Sequence, residues 1–481
     1  MTRPTPPNEF PSHDIDAPAP IASGLLDALA KAGIAVNVTS AERAEHSRDW
    51  WPRLISMTSR GEVERWPGAV VRPTTTHDVS ETLRLASTYG VAVTAQGGRS
   101  GVVGGAVPEI GAIALDLTGL NAIVRVDDVS NTVRVEAGVF GPDLEDALRP
   151  YGLTIGHFPQ SFELATVGGW IACRGAGQYS NRYGKIEDIV RALTVVLASG
   201  DVLELGGRAP RQAVGPDLLQ LFVGSEGTLG VITEATLVAR RRAPFDARRA
   251  YRFETFADGL DSCRQLLQRG ASPAVLRLYD ESESKRHFDV EGCALIVLDE
   301  GERAFVEASM SITDEECASA RRLDEDLVAH WLERRNDVSA LAPLWERGLV
   351  VDTIEVAGAW SVLAALYERV SAALRTQEGM FVVSVHQSHA YIDGACLYFT
   401  FAGQPPDDPD AFYRAAWDVA MDEVIELGAA ISHHHGVGRN RARHVARSLG
   451  PSFALLEDLK TLLDPAGVLN PGVLGLGGES W

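Results

Sequence analysis

The chain has 481 residues, 45% of them hydrophobic and 23% charged, enough for two or three domains with their own cores. A formal net charge of −21 repels phosphate backbones and excludes a general nucleic-acid or anionic-membrane surface. Five scattered cysteines without a Cys-x-x-Cys pair, no signal-peptide core and no apolar run of bilayer length point to a cytoplasmic protein with reduced thiols.

Residues 1–65 read as a proline-rich tail to about residue 20, then a helical segment containing "SGLLDALAKAGI". Over 66–242 the pattern changes to short strands, isolated helices and glycine loops. "GAVVRP" is a strand, and "THDVSETLRLASTYG" is an amphipathic helix opened by Thr76 or Asp78 and closed by Gly90. "VAVTAQ", "AIALDL", "AIVRVD" and "TVRVEAG" are further strands, and "GPDLEDALRPYG" is a second helix. "VRALTVVLASGDVLELGG" reads as a hairpin turning at Ser199, Gly200 and Asp201. The basic run "RRRAPFDARRAYR" at 240–252 suits a solvated interdomain connector, with a local lipid-phosphate contact as the alternative. Over 243–430, longer helical patterns such as "EECASARRLDEDLVAHWLERR" alternate with strands such as "CALIVLD" and "ACLYFTFA", which describes a second domain. Residues 431–481 form a C-terminal segment packed back on the rest.

Gly97, Gly98, Gly101, Gly104 and Gly105 share one loop directly after a strand. Glycine lets backbone N–H groups curl around an anion without a Cβ in the way. The spacing is neither the Gly-x-Gly-x-x-Gly of a Rossmann site nor a Walker loop. "TVGGWIACRGAGQ" and "GSEGTLGVI" are further glycine-rich segments of the same module, and several such loops suit a long ligand with a central pyrophosphate.

In this order, the "PTTTHDV" helix, the Gly-Gly-x-Ser-Gly loop, "VEAG", "TVGGW", "YGKIEDIV" and "GSEGTLGVITEATL" resemble the FAD-binding domain of vanillyl-alcohol-oxidase-type flavoproteins. Within them, "GHFPQSFELATVGGWIACRGAGQYSNRYGKIEDIV", "SPAVLRLYD", "DGACLYFTFA" and "SHHHGVG" are most similar to the alkyldihydroxyacetonephosphate synthases. The resemblance implies an α+β fold: a two-subdomain FAD-binding module, an α+β cap that carries substrate, and a C-terminal segment that completes the active site. It implies that Ala95, Gln96, Gly97, Gly98, Arg99, Ser100 and Gly101 hold the FAD pyrophosphate. Gln160, Ser161, Phe162, Glu163, Leu164, Ala165 and Thr166, with Cys173, Arg174, Gly175 and Ala176, would line the flavin. Glu226, Gly227, Thr228, Leu229, Gly230, Val231 and Ile232 would reach the adenosine or ribityl part. Arg99 stands where many relatives have a third glycine, and its side chain either adds a cation near the pyrophosphate or points to water. The loop has no histidine for a covalent flavin bond, so FAD is expected noncovalently.

His433, His434 and His435 admit three readings: a metal site, a structural cluster, or an active-site group that moves protons or donates to a substrate phosphate. In a strand at most two of them could share a metal, and "HQSH" (His386, His389) supplies the only further candidates. The resemblance favours catalysis without metal. It also implies that Tyr398 is the acid/base tyrosine and that Arg277 is the arginine needed for activity. The family's second, phosphate-binding arginine has no clean counterpart. Its place falls near Leu341, with Arg334, Arg335 and Arg347 close by. The implied activity is ether-lipid synthesis: a ketone phosphate held through flavin N5 exchanges its acyl chain for a fatty alcohol. An FAD-linked oxidase or dehydrogenase of an alcohol or 2-hydroxy acid is the alternative on the same scaffold, and a catalytically silent binding protein the alternative of another class. A small-molecule or lipid substrate, peripheral membrane contact and a homodimer complete the expectations.

Overall fold

The computed structural model describes residues 18, 21, 23–207, 209–336, 344, 347–405, 408–478 and 481. The tail expected over 1–20 and the position near Leu341 lie outside the described residues, Pro18 excepted. Among the described residues no helix is long and apolar enough to cross a membrane.

The FAD-binding module has two subdomains. In the first, strands Ala69–Val71, Ile113–Asp116 and Val93–Gln96 run parallel, with Val36–Asn37 antiparallel at the edge. Helix Thr76–Tyr89 covers this sheet with Val79, Leu83 and Ala86. Its cap is Thr75, one residue before the expected Thr76: Thr75 accepts from the Asp78 amide while Asp78 reaches back, a reciprocal capping box. Gly90 closes it with φ of 64°. The second subdomain is an antiparallel sheet ordered Ile123–Asp127, Thr132–Glu136, Val231–Val238, Val190–Val196, Val202–Gly206. The hairpin expected at Ser199, Gly200 and Asp201 joins its last two strands, with Val196 opposite Val202.

The cap is a seven-stranded antiparallel sheet ordered Arg321–Leu323, Phe245–Phe253, Cys293–Gly301, Val275–Tyr279, Met380–Ala390, Gly394–Gly403, Val350–Ala359. Helices Phe256–Gln268, Arg303–Glu316, Trp360–Arg375 and Pro409–Glu426 bury its outer face in the largest core. Two local readings differ from the sequence expectation. The 240–252 run is mostly strand, not connector, and its Arg242, Arg248, Arg249 and Arg252 pair with carboxylates. "EECASARRLDEDLVAHWLERR" is not one helical pattern: the first helix stops at Cys317, Arg321–Leu323 joins the sheet edge beside residues 250–252, and Asp326–Arg334 is a separate helix. The edge strand offered unpaired ladder groups, and pairing them outweighed helix propensity.

After the cap the chain returns to the first subdomain. The Val93 amide donates to Val468 O at 2.7 Å and the Asn470 amide to Val93 O at 2.8 Å, so Val468 and Leu469 enter that core.

Candidate active site

Three glycine loops interlock at one end of the FAD module. A Cβ on Gly97 would collide with Thr166 Oγ1, and one on Gly98 with the Leu164 carbonyl. The Gly224 and Glu226 amides donate to Ile171 and Ala172 O at 3.0 and 2.9 Å, which fixes the third loop against the second. The expected pyrophosphate and flavin segments are thereby brought together. The amides of Gly97, Gly98, Arg99, Ser100 and Gly101 find no protein acceptor among the described residues. A half-buried run of free N–H groups suits an anion. His157 and Trp170 add buried ring nitrogens without partners beside the second loop, so the cradle fits a ligand rich in acceptors. His157 was not singled out from sequence; nothing marks it there but its place in the "GHFPQS" stretch.

Not every expected contact residue faces this cradle. Leu229, Val231 and Ile232 are buried in the hydrophobic cores, so only their backbone is free to meet a ligand. Arg99, at φ of 52°, goes neither to water nor to the loop: its Nη2 donates to Glu45 Oε1 at 2.8 Å and its Nη1 lies 2.9 Å from His46 Nδ1. Glu226 spends its carboxylate on the C-terminal segment, accepting from Val437 N–H at 2.7 Å and Gly438 N–H at 2.8 Å. It therefore bolts the glycine loops to the stretch that carries the three histidines.

His433, His434 and His435 sit in a bend, not a strand, and the bend wraps Glu355. The wholly buried Glu355 carboxylate accepts all three histidine amides, the last at 3.0 Å, and the Ser432 hydroxyl at 2.9 Å. Arg441, equally buried, closes the pair at 2.9 Å. Burial pulls the Glu355 carboxyl upward, but Arg441 and the donated amides of the histidine bend outweigh it and hold the group well below the usual range. Sequence reasoning missed Glu355; its only mark is that it is one of two acids, with Asp352, inside the otherwise apolar strand "VVDTIEVAGA".

The rings gather with others from the cap. His433 Nδ1 lies 2.9 Å from His434 Nδ1, and His433 Nε2 2.6 Å from Tyr391 Oη. His389 stacks on His433 at 4.9 Å and meets Ser180 Oγ at 2.8 Å. Nitrogens of His389, His433 and His434 lie within 4.8 Å of one another, a spacing that can share one cation, and the bend removes the strand geometry that argued against it. Tyr398 donates to Thr353 Oγ1 at 3.0 Å, stacks on His386 at 4.7 Å and meets His435 edge-on at 5.6 Å. Burial raises its phenol above the ordinary range, so it rests protonated. Arg277 reaches His386, and its guanidinium lies 5.4 Å from the Trp331 ring. Arg335 approaches the same ring at 5.7 Å, and Tyr179 at 4.9 Å.

Burial pushes the histidines down: His433, His434 and His157 to about 3, His435 and His386 to about 4. Below an unfolded value of about 6.5 the unfolded chain binds more protons at these sites, so acidification removes stability. Burial acts oppositely on several acids, among them Asp49 and Glu226, raised to about 7, and Asp280 and Asp352, raised to about 6. Those acids bind protons on folding and offset the histidines only down to the unfolded carboxylate range, about pH 4. Thermal midpoints should therefore fall as pH drops from 6.5 to 3.5, most steeply below about 4; a level midpoint to pH 3.5 would contradict these assignments.

The chain is a two-domain flavin-dinucleotide protein by this architecture, and comparison with known proteins gives the family. It matches the FAD binding domain family over residues 67–206 and the C-terminal domain of FAD linked oxidases over 247–474. YgcU of Escherichia coli (strain K12), an uncharacterised FAD-linked oxidoreductase, is 32% identical over 430 residues, 85% of this chain and 89% of the relative. The alkyldihydroxyacetonephosphate synthase of Dictyostelium discoideum is 28% identical over 85% of this chain and 74% of its own. The D-lactate dehydrogenase of Anaerostipes hadrus is 29% identical over 84% and 89%. A solved alkyldihydroxyacetonephosphate synthase superposes with a TM-score of 0.80 and 25% identity, covering 97% of this chain and 88% of that one. The chain thus belongs to the vanillyl-alcohol-oxidase-type FAD-linked oxidases, and FAD is its cofactor.

Proposed function

We propose that this FAD-dependent enzyme acts on a substrate with an anionic head, exchanging an acyl for an alkyl chain on a ketone phosphate, the reaction implied by its resemblance to the alkyldihydroxyacetonephosphate synthases. The observation that carries the reading is the gathering of Tyr398, the histidine bend and Arg277 around His386 and His389. FAD, bound noncovalently in the glycine cradle, supplies the electron-accepting ring. Tyr398 holds the proton that is returned to the substrate, with Thr353 orienting its hydroxyl. The neutral histidines donate to the head group, and an entering anion raises their basicity toward neutrality.

The head group also needs fixed positive charge. Neither Arg277 nor Arg335 pairs with a carboxylate among the described residues, and both lie against Trp331. Arg335 Nη1 is buried without a hydrogen-bond partner among the described residues. In this reading Arg335 takes the place of the family arginine that the sequence lacks. The test is product analysis after mixing the holoenzyme with palmitoyl-dihydroxyacetone phosphate and hexadecanol. Palmitate and an ether product are expected, and no exchange would overturn the reading. Arg335→Ala should raise KM about tenfold or more, with kcat changed less, because one charge-assisted contact is lost.

The second reading, oxidation of an alcohol or 2-hydroxy acid, is favoured by the D-lactate dehydrogenase relative and by the nitrogen spacing at His389, His433 and His434. Reduction of the flavin by a hydroxy acid decides for it.

A further inference from the structure

Arg277 leaves strand Val275–Tyr279 half-buried, with its Nη2 2.6 Å from His386 Nε2 and its Nε donating to Tyr279 Oη at 3.1 Å. On the other side of the imidazole, His386 Nδ1 lies 2.8 Å from Glu283 Oε2. A guanidinium only donates and a carboxylate only accepts. The ring between them therefore has one allowed protonation pattern: Nδ1 carries the hydrogen and Nε2 offers its lone pair to Arg277. Burial keeps that ring neutral, pushing it down to about 4.

Glu283 is itself almost wholly buried and strongly held. Its Oε1 takes the Arg286 guanidinium at 3.0 Å, Thr400 Oγ1 at 3.2 Å and Ser384 Oγ at 3.3 Å. Arg277, His386 and Thr400 come from three adjacent strands of the cap sheet, and the carboxylate and Arg277 meet opposite nitrogens of the His386 ring. The imidazole is interposed, so Arg277 is fixed by a neutral acceptor and keeps its full charge. Its Nη1 has no acceptor among the described residues. A direct carboxylate partner would have satisfied the fork and cancelled the charge.

We infer that His386 and Glu283 are positioning residues that hold Arg277 in place as an uncompensated receptor for the anionic head of the substrate, phosphate or carboxylate. The inference rests on the anionic-head reading above and adds how the cation is aimed. The same imidazole stacks on Tyr398 at 4.7 Å, so the receptor and the acid/base phenol are set by one ring.

The test is calorimetric binding of glycerol 3-phosphate, and separately of D-lactate, to the FAD-loaded protein. His386→Phe keeps the ring that stacks on Tyr398 but cannot accept from Arg277, and should weaken binding of the anion about tenfold or more. His386→Gln restores an acceptor and should return affinity to within about threefold of the parent. Flavin content and melting midpoint of each variant report folding. A structural role alone would lower the midpoint of both variants and leave affinity in the folded fraction unchanged, which overturns the inference. Equal affinity in His386→Phe and the parent overturns it alone. Failure of the unmutated holoenzyme to bind either anion overturns the anionic-head reading, and the inference with it. Tight binding of one anion over the other identifies the head group.

Discussion

Replacing Tyr398 with Phe should lower turnover by about 10²–10⁴-fold, the size of one lost acid/base group, and leave the flavin bound. The phenol donates to Thr353 and stacks on His386, and among the described residues it makes no hydrogen bond to the glycine loops. Removing the hydroxyl leaves the ring stack intact, and the Thr353 hydroxyl loses one partner. The loss should therefore appear in kcat, with the visible flavin spectrum and melting midpoint near those of the parent. Steady-state kinetics beside absorbance at matched protein concentration checks this. A Tyr398→Phe enzyme with parental kcat would remove the tyrosine from the chemistry.

Glu355→Gln should have the largest effect on the site's architecture. The carboxylate neutralises Arg441 where neither side chain meets water, and it gathers three successive amides of the histidine bend. Neutralising one partner of a buried ion pair costs about 3–5 kcal/mol, because the other charge stays buried without compensation. A glutamine keeps the shape and one acceptor oxygen, so the fold should survive with a lower midpoint. The histidine bend should lose its order. Hydrogen exchange at residues 432–438 should accelerate well beyond that of the cap strands, and turnover should fall with it. An unchanged midpoint and unchanged protection would show that Glu355 does not hold the bend.

How much of this was legible from sequence depends on range. Strands with clean alternation, such as Thr132–Glu136, and helices with caps, such as Thr76–Tyr89, were readable because their signals are local. The glycine loops announced a cradle for the same reason: three clusters of small residues, each after its own element. The histidine run was conspicuous, but its shape was not. It forms a bend only because Glu355, 78 residues earlier than His433, collects its amides, and no spacing rule connects the two. The same holds for Glu283 and His386, which meet across 103 residues. Arg99 shows the limit from the other side. Its sequence position allows a cation near the pyrophosphate or a side chain in water, and its partners are instead Glu45 and His46 of the N-terminal segment. The strand Arg321–Leu323 was hidden inside a helical pattern, since edge pairing is a tertiary choice.

The N-terminal segment has a part in the cofactor site that the 67–206 match leaves out. The Trp50 amide donates to Gly101 O at 2.8 Å, and the Asp49 carboxyl lies against the amides of Gly104 and Ala106. The first glycine loop is thus shaped from both sides in sequence: by Asp49 and Trp50 before it, and by Glu226 with the Gly436–Gly438 turn after it. This shared scaffold places the histidine bend next to the glycine loops.

Exchange on an anionic ketone phosphate leaves a signature in the flavin spectrum. The purified protein is titrated without oxygen, following its visible flavin spectrum, first with palmitoyl-dihydroxyacetone phosphate and then with simple 2-hydroxy acids. The ketone phosphate is expected to perturb or bleach the flavin with release of free palmitate, and hydroxy acids to leave the flavin oxidised. Reduction by a hydroxy acid, with no response to the ketone phosphate, would contradict it and make the protein a dehydrogenase of that class.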